Sequence, residues 1–240
     1  GWLSGCNFRL AGKDWGVVFL LSLLRAVTSF SLIIAYQNIA SGVASTIHFM
    51  YPLAVALAMM FFFREKKSLL VILAVLMSLL GAALLSLGEL EAKSGNTMVG
   101  LVAACVSVFS YAGYIVGVRT TRAVQINSTA LTCYVMGLGT IFYLIGAYCT
   151  SGLQLVSDGY TWLIILGLAL PATAISNITL VQAIKYAGPT LTSILGAMEP
   201  LTAVVIGVFV FKELFTVNSA VGIILILLAV SIVVFRRQKS

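Results

Sequence analysis

Residues 42–53 read GVASTIHFMYPL, and residues 187–201 read AGPTLTSILGAMEPL. The two stretches belong to an internal repeat with an offset of 148 positions. At this offset identical residues coincide, namely Ser45 with Ser193, Met50 with Met198, Pro52 with Pro200, Phe63 with Phe211 and Glu65 with Glu213. Each copy has an apolar segment with a central proline that ends in Phe, a basic residue and Glu. A repeat of this length indicates two related structural halves.

The composition around the repeat is that of a membrane protein. Hydrophobic residues make up 61% of the 240 residues, charged residues 9%, and the mean hydropathy is +1.11. Soluble proteins carry roughly 25% charged residues, so a water-soluble fold is excluded. The net charge of +7 comes from 14 Lys and Arg scattered through the sequence, which argues against a nucleic-acid partner. The four cysteines show no metal-binding or disulfide spacing.

Apolar runs long enough to cross a bilayer predict an all-α polytopic protein with about eight visible transmembrane helices. They cover residues 15–37, 43–63, 69–87, 98–118, 130–149, 160–183, 191–211 and 217–235. Barrel strands would alternate polar and apolar residues, and these runs do not.

Basic residues predict how the chain is oriented. With Arg236, Arg237 and Lys239 assigned to the cytoplasm, eight crossings place eleven of the 14 basic residues on that side. Lys185 is among them, in a predicted cytoplasmic loop. Both ends of the chain are therefore predicted to be cytoplasmic, in a multi-pass protein of the plasma (inner) membrane. Glu65 then lies inside and Glu213 outside, so the two copies of the repeat have opposite orientations, as in many secondary carriers.

The doubled pattern, with its Pro52 to Glu65 and Pro200 to Glu213 spacing, resembles the EamA domains of the drug/metabolite transporter superfamily. The resemblance covers essentially the whole chain. It implies a ten-helix bundle of two inverted sets of five, in which the first two helices are missing here. Residues 1–92 would be a partial first repeat of three helices, and residues 93–240 a second repeat of five. It further implies a secondary transporter, an exporter of small metabolites, amino-acid-like compounds or drugs by alternating access, with proton coupling as an option.

Three ionisable residues lie inside predicted spans, where a charge needs a partner or a wet cavity. Glu199, whose repeat mate is Tyr51, is a candidate coupling carboxylate or contact for a cationic group; a neutral helix-locking glutamate is the alternative. Arg25 would bind a substrate carboxylate or pair with Glu199, or serve a structural role by snorkelling. His48 would relay protons near neutral pH, or simply join two helices by a hydrogen bond.

Other residues add polar faces and helix breaks to the predicted site. Tyr36 shares a helix face with Arg25, and Asn177 follows Thr173 at helical spacing. Ser107, Tyr111 and Tyr114 form a stripe on one helix, which would line a cavity or join helices. Pro52 and Pro200 each remove a backbone hydrogen bond in mid-helix, which either opens the backbone to a cavity or makes a fixed kink.

Two other classes of function remain as alternatives. A non-transporting membrane scaffold or sensor needs no intramembrane Arg, His and Glu. An intramembrane enzyme would need a motif such as HExxH or GxSxG, and neither occurs. No phosphate-binding loop is present to use ATP. We therefore expect no enzymatic activity, cofactor or metal; the expected partners are the lipid bilayer and a small-molecule substrate, and the pattern leaves the oligomeric state open.

Overall fold

The structure is a computed structural model of the 240-residue chain. It describes residues 10–39, 41–63, 69–86, 95–150, 158–196, 198–199 and 217–238, together with residues 202, 206 and 209. These residues are almost entirely helical, and no strand occurs among them.

Ten α-helices can be followed through the described ranges. They are α1 (Trp15–Asn38), α2 (Ser41–His48), α3 (Tyr51–Phe62), α4 (Leu69–Ser86), α5 (Thr97–Thr120), α6 (Ser128–Thr150), α7 (Gly159–Gly167), α8 (Ser176–Ala187), α9 (Pro189–Leu195) and α10 (Val217–Gln238). A π-helical segment, Leu168–Ile175, makes α7 continuous with α8. Short 3₁₀ turns occupy Gly12–Asp14 and Arg122–Gln125.

Five helical stretches of the described chain are long and apolar enough to cross a membrane. They are Gly12–Asn38, Val43–Phe62, Thr97–Thr120, Ser128–Gly146 and Gly159–Ala187, and two shorter apolar stretches are Leu69–Gly81 and Ala220–Ala229. The prediction of an all-α polytopic membrane protein is confirmed. Of the 21 residues of the predicted span at 191–211, ten lie outside the described residues.

The chain divides into two compact units, and each unit consists of two separate stretches of the sequence. The first unit comprises Gly1–Ala26 and Gly117–Gly188, and the second comprises Val27–Val116 and Pro189–Ser240. The prediction of repeats at 1–92 and 93–240 concerns sequence symmetry and stays a prediction.

Small residues allow close helix packing in the second unit. A core cluster joins α3, α4, α9 and α10 through residues that include Ala56, Ala74, Ile194 and Ala229. A second cluster joins α1, α2 and α5 through Ala35, Ala44 and Ala104 among others. Burial of these side chains holds α3 beside α9 and α4 beside α10. This packing fixes the positions of α2, α3 and α5, which carry most of the candidate site.

The first unit is held by aromatic contacts and by a buried lysine. Trp15 meets the edge of Tyr134 at a ring-centroid distance of 5.5 Å. Lys185 is buried in the last turn of α8 and donates to the Ile126 carbonyl, while Arg119 donates to the Lys185 carbonyl at 2.5 Å. Lys185 is therefore a helix residue, since α8 continues to Ala187, and the predicted loop at this position is wrong.

Large apolar side chains cover much of the outside of both units. Phe62 is 81% exposed, Phe109 71% and Tyr160 71%. Water would disfavour apolar surface on this scale, whereas lipid chains solvate it, so the exposure agrees with a bilayer setting.

Candidate functional site

The helix around the first repeat proline is interrupted. Helix α2 ends at His48, residues 49–50 form a turn, and α3 begins at Tyr51 with Pro52 as its second residue. Proline has no backbone N–H, and the first turn of a helix is where that donor is not needed. The break therefore places His48 and Tyr51 at the two helix ends that meet there.

The rings of His48, Tyr51, Tyr111 and Tyr114 form a contiguous group, here called the His48–tyrosine cluster. The His48 ring stacks on the Tyr111 ring, with a centroid distance of 5.5 Å and an interplanar angle of 29°. The centroids of the His48 and Tyr51 rings are 5.6 Å apart. Tyr51 meets the Tyr111 ring edge-on at 4.7 Å, and Tyr114 is parallel to Tyr111 at 6.3 Å. All three tyrosines are buried and His48 is half-buried. Stacked and edge-on pairs of this kind are favourable aromatic geometries.

A serine on α5 fixes the histidine ring. Ser107 lies one turn before Tyr111 and is fully buried. Its Oγ is 2.9 Å from His48 Nδ1, and the same Oγ donates to the Ala104 carbonyl at 2.6 Å. The polar stripe predicted on this helix thus faces α2 and α3.

Glu199 belongs to the same unit as the cluster. Its backbone N–H donates to the Gly196 carbonyl at 3.0 Å, its side chain is exposed, and its carboxylate interacts electrostatically with Tyr51. A Cβ on Gly196 would overlap the Tyr51 hydroxyl oxygen, so the glycine gives Tyr51 room to reach the end of α9. Pro200, the second predicted break, lies outside the described residues.

Two more polar contacts brace the same helices. The Tyr36 hydroxyl is 3.1 Å from Ser45 Oγ, which ties α1 to α2. Thr28 Oγ1 is 3.0 Å from Ser110 Oγ, which ties α1 to α5. Ser45 and Thr28 were not among the predicted site residues; both are polar residues inside an apolar run, and Ser45 also matches Ser193 in the repeat.

Arg25 and Asn177 form a separate pair in the first unit. Arg25 Nη2 donates to Asn177 Oδ1 at 3.4 Å, and Asn177 Nδ2 donates to the Thr173 carbonyl at 2.7 Å. Thr173 lies in the π-helical segment, where its hydroxyl donates to the Leu168 carbonyl. π-Helical turns often occur at functional sites. The sequence signal for this segment is Pro171, which cannot donate a helical hydrogen bond.

An apolar pocket of about 450 Å³ lies between α3 and α5. Its walls include Leu57 and Phe61 on α3 and Phe109 and Val116 on α5, and none of the described lining residues is ionisable. Phe109 and Val116 project from the other side of α5 from Ser107 and Tyr111. The described walls of this pocket and the His48–tyrosine cluster therefore lie on opposite sides of α5. The described residues contain no group of three His, Cys, Asp or Glu able to hold a metal.

The comparisons with known proteins agree with this architecture. The model of the EamA-like transporter family matches residues 98–235, more than half of the chain. The chain belongs to the EamA-like transporter family. It is thus a multi-pass membrane protein of the drug/metabolite transporter superfamily, and the sequence-based family prediction is confirmed.

One solved crystal structure has the same fold as this EamA-like protein. It superimposes with a TM-score of 0.80 at 18% sequence identity, over 97% of this chain and 80% of the other. A comparison with curated proteins gives no match.

Proposed function

We propose that this protein is a secondary transporter that exports small metabolites, amino-acid-like compounds or drugs by alternating access, coupled to proton movement. Family membership supports transport of a small molecule across the bilayer. The direction and the substrate class are proposed from the family resemblance, and the coupling from the polar groups inside the spans.

The observation that carries the proposal is the contact of His48 with Ser107 and the tyrosines in a unit that also contains Glu199. An ionisable residue at mid-membrane costs about 2.5 to 3.5 kcal/mol on insertion scales. A scaffold has no use for a carboxylate and an imidazole at that cost. A carrier uses both, because protonation of either group changes the charge of the site between two conformations.

The residues divide into two proposed roles. Glu199 supplies the coupling carboxylate, or the contact for a cationic group of the substrate. Tyr51 and Tyr111 add aromatic edges and faces that suit organic molecules, including amines. In the first unit, Arg25 and Asn177 supply a cation and an amide that suit a carboxylate group.

The proposed setting is the plasma (inner) membrane, with the carboxyl terminus in the cytoplasm. It rests on the distribution of Lys and Arg around the spans. The proposed architecture is the ten-helix bundle of two inverted repeats, which accounts for the opposite orientations predicted for Glu65 and Glu213.

A flux experiment with the full-length protein tests the proposal. Proteoliposomes are loaded with a pooled amino-acid and metabolite library, and efflux is followed with and without an imposed pH gradient. Wild type is compared with Glu199→Gln, and Asp158→Asn serves as the control because it neutralises an exposed carboxylate at a helix start.

We expect gradient-stimulated efflux in wild type and Asp158→Asn, and its loss in Glu199→Gln at equal protein level. Efflux that ignores both the gradient and Glu199→Gln would make the protein a facilitator with a structural glutamate. Absence of flux for every compound in wild type would favour the scaffold.

A further inference from the structure

The hydrogen bonds of Ser107 determine which nitrogen of His48 carries a hydrogen. A serine hydroxyl has one hydrogen to donate and two lone pairs to accept with. The Ala104 carbonyl oxygen has no hydrogen, and it lies 2.6 Å from Ser107 Oγ, a distance typical of O–H···O bonds. Two oxygens at that distance repel each other without a hydrogen between them. The Ser107 hydrogen therefore points at Ala104.

His48 must then donate to Ser107. Oγ is 2.9 Å from His48 Nδ1 and has only lone pairs to offer on that side. The neutral ring consequently carries its hydrogen on Nδ1, and Nε2 holds the basic lone pair. In a neutral imidazole one nitrogen donates and the other accepts, and the partner of the first sets the role of the second.

We infer that His48 is a binding site for the coupling proton, that the proton is taken up and released at Nε2, and that Ser107 is the positioning residue that keeps Nε2 basic. The inference rests on the proposed proton-coupled transport. Protonation adds one hydrogen and one positive charge at Nε2, and Nδ1 donates to Ser107 in both states.

The surroundings suit a ring that alternates between the two states. The Tyr111 ring stacked on the imidazole offers an aromatic face that attracts the positive charge of the imidazolium. The titratable or charged residues on the described elements around it are Arg25 and Tyr36 on α1, Tyr51 on α3, Cys105, Tyr111, Tyr114 and Arg119 on α5, and Glu199 beyond α9. Helix α4, which also packs on α2, has no titratable residue.

The position of the ring links its charge to the shape of the helix. His48 is the last residue of α2, and the turn before α3 follows at once. A charge that appears at this break acts on the two helix ends that meet there. The carboxyl-terminal end of α2 carries a partial negative charge and favours the cation, so proton uptake stabilises the arrangement in which α2 ends at His48.

The experiment uses the only histidine in the chain. The full-length protein is labelled with ¹⁵N-histidine, reconstituted in lipid bilayers, and its two ring nitrogens are observed by solid-state NMR above the pH of ring protonation. We expect a protonated Nδ1 and an unprotonated Nε2 in wild type and in Ser107→Thr, which keeps the hydroxyl. Ser107→Ala should lose the preference for a hydrogen on Nδ1. A wild-type ring with its hydrogen on Nε2 would overturn the inference.

A flux assay with the same samples separates this inference from the proposed function. Gradient stimulation in wild type tests proton-coupled transport by itself, and its absence would reject that function whatever the tautomer. Where wild type is stimulated, we expect His48→Gln to lose the stimulation while it still exchanges substrate without a gradient. Full stimulation in His48→Gln would overturn the inference and leave coupled transport intact. A His48→Gln protein that does not fold would give no flux to compare. Ser107→Ala keeps the His48 ring and is therefore measured in the same flux assay.

Discussion

Many hydroxyl side chains of the described helices are satisfied by their own helix. Ser22 Oγ donates to the Val18 carbonyl, Ser78 to Ala74 and Thr140 to Met136, each four residues earlier. Such back-bonding satisfies a hydroxyl at little cost in an apolar surrounding. His48 and Arg25 differ because their partners, Ser107 and Asn177, lie on other helices. These side chains therefore depend on tertiary structure for their position.

The sequence predicted correctly which residues share a helix face, because helical spacing alone decides it. Helical spacing put Ser107, Tyr111 and Tyr114 on one face of α5, and the structure places that face against His48 and Tyr51. The pairing of Arg25 with Asn177 was not predicted, because 152 residues separate them and no local pattern encodes that contact. Whether any of these residues binds substrate stays a prediction.

At the start of α7, Asp158 caps the helix. Its Oδ2 accepts from the Thr161 backbone N–H at 3.0 Å and from the Thr161 hydroxyl at 2.9 Å. The backbone hydrogen bond, followed by the hydroxyl, lowers the pKa of Asp158 below its ordinary value. A carboxyl whose pKa is lower in the folded state stabilises the fold above its unfolded pKa, and this stability is lost as the pH falls through the folded value.

We expect Asp158→Ala to lower the unfolding temperature in detergent at pH 7 by a few degrees, as for other lost helix caps. Asp158→Asn keeps a capping oxygen and should lose less at pH 7. Acidification into the range where carboxyls titrate should destabilise wild type more than Asp158→Asn. An equal response of the two proteins to acid would contradict the capping role.

At the scale of helices, α4 and α10 approach closely because a glycine lies at their contact. A Cβ on Gly81 would lie 2.7 Å from the Gly222 carbonyl oxygen and 2.7 Å from Ile226 Cγ1. Real Cβ atoms do not approach so closely, so Gly81→Ala must move one helix. We expect Gly81→Ala to lower the stability by about 1 to 3 kcal/mol, as in other overpacked contacts.

Gly137 on α6 is the matched control for Gly81. No atom lies within 4 Å of a Cβ built there, so Gly137→Ala should keep or raise the stability, since alanine favours helix by up to about 1 kcal/mol. Thermal unfolding of the two variants in the same detergent measures the difference. Equal stability of Gly81→Ala and Gly137→Ala would mean that the α4 to α10 contact is looser than the structure has it.

Element boundaries were the weakest part of the sequence-based prediction. The run at 43–63 is two helices, because a turn precedes Pro52, and the run at 160–183 extends to Ala187 through a π-helical segment. Hydropathy gives the length of an apolar run but not the backbone hydrogen bonds within it. The prolines at 52 and 171 mark both irregularities without giving their geometry.

At the scale of the whole chain, hydropathy and the repeat were sufficient to predict the fold class. A bilayer permits only helices and closed barrels, and apolar runs of about 20 residues fit helices and not barrel strands. The family match and the TM-score of 0.80 confirm that architecture. Substrate recognition depends on a few side chains, and these leave no pattern in hydropathy.

The inverted orientation of the repeats is the prediction on which alternating access depends. Glu65 and Glu213 occupy equivalent positions in the two copies, and the distribution of basic residues puts them on opposite sides of the membrane. With the four native cysteines replaced by serine, single Glu65→Cys and Glu213→Cys variants report their side through a membrane-impermeant maleimide. Intact cells should label Glu213→Cys alone, and permeabilised cells should label both; Ser240→Cys serves as the control for the cytoplasmic side. Labelling of both positions from the same side would show parallel repeats, and the two halves could not then exchange roles between inward-open and outward-open states.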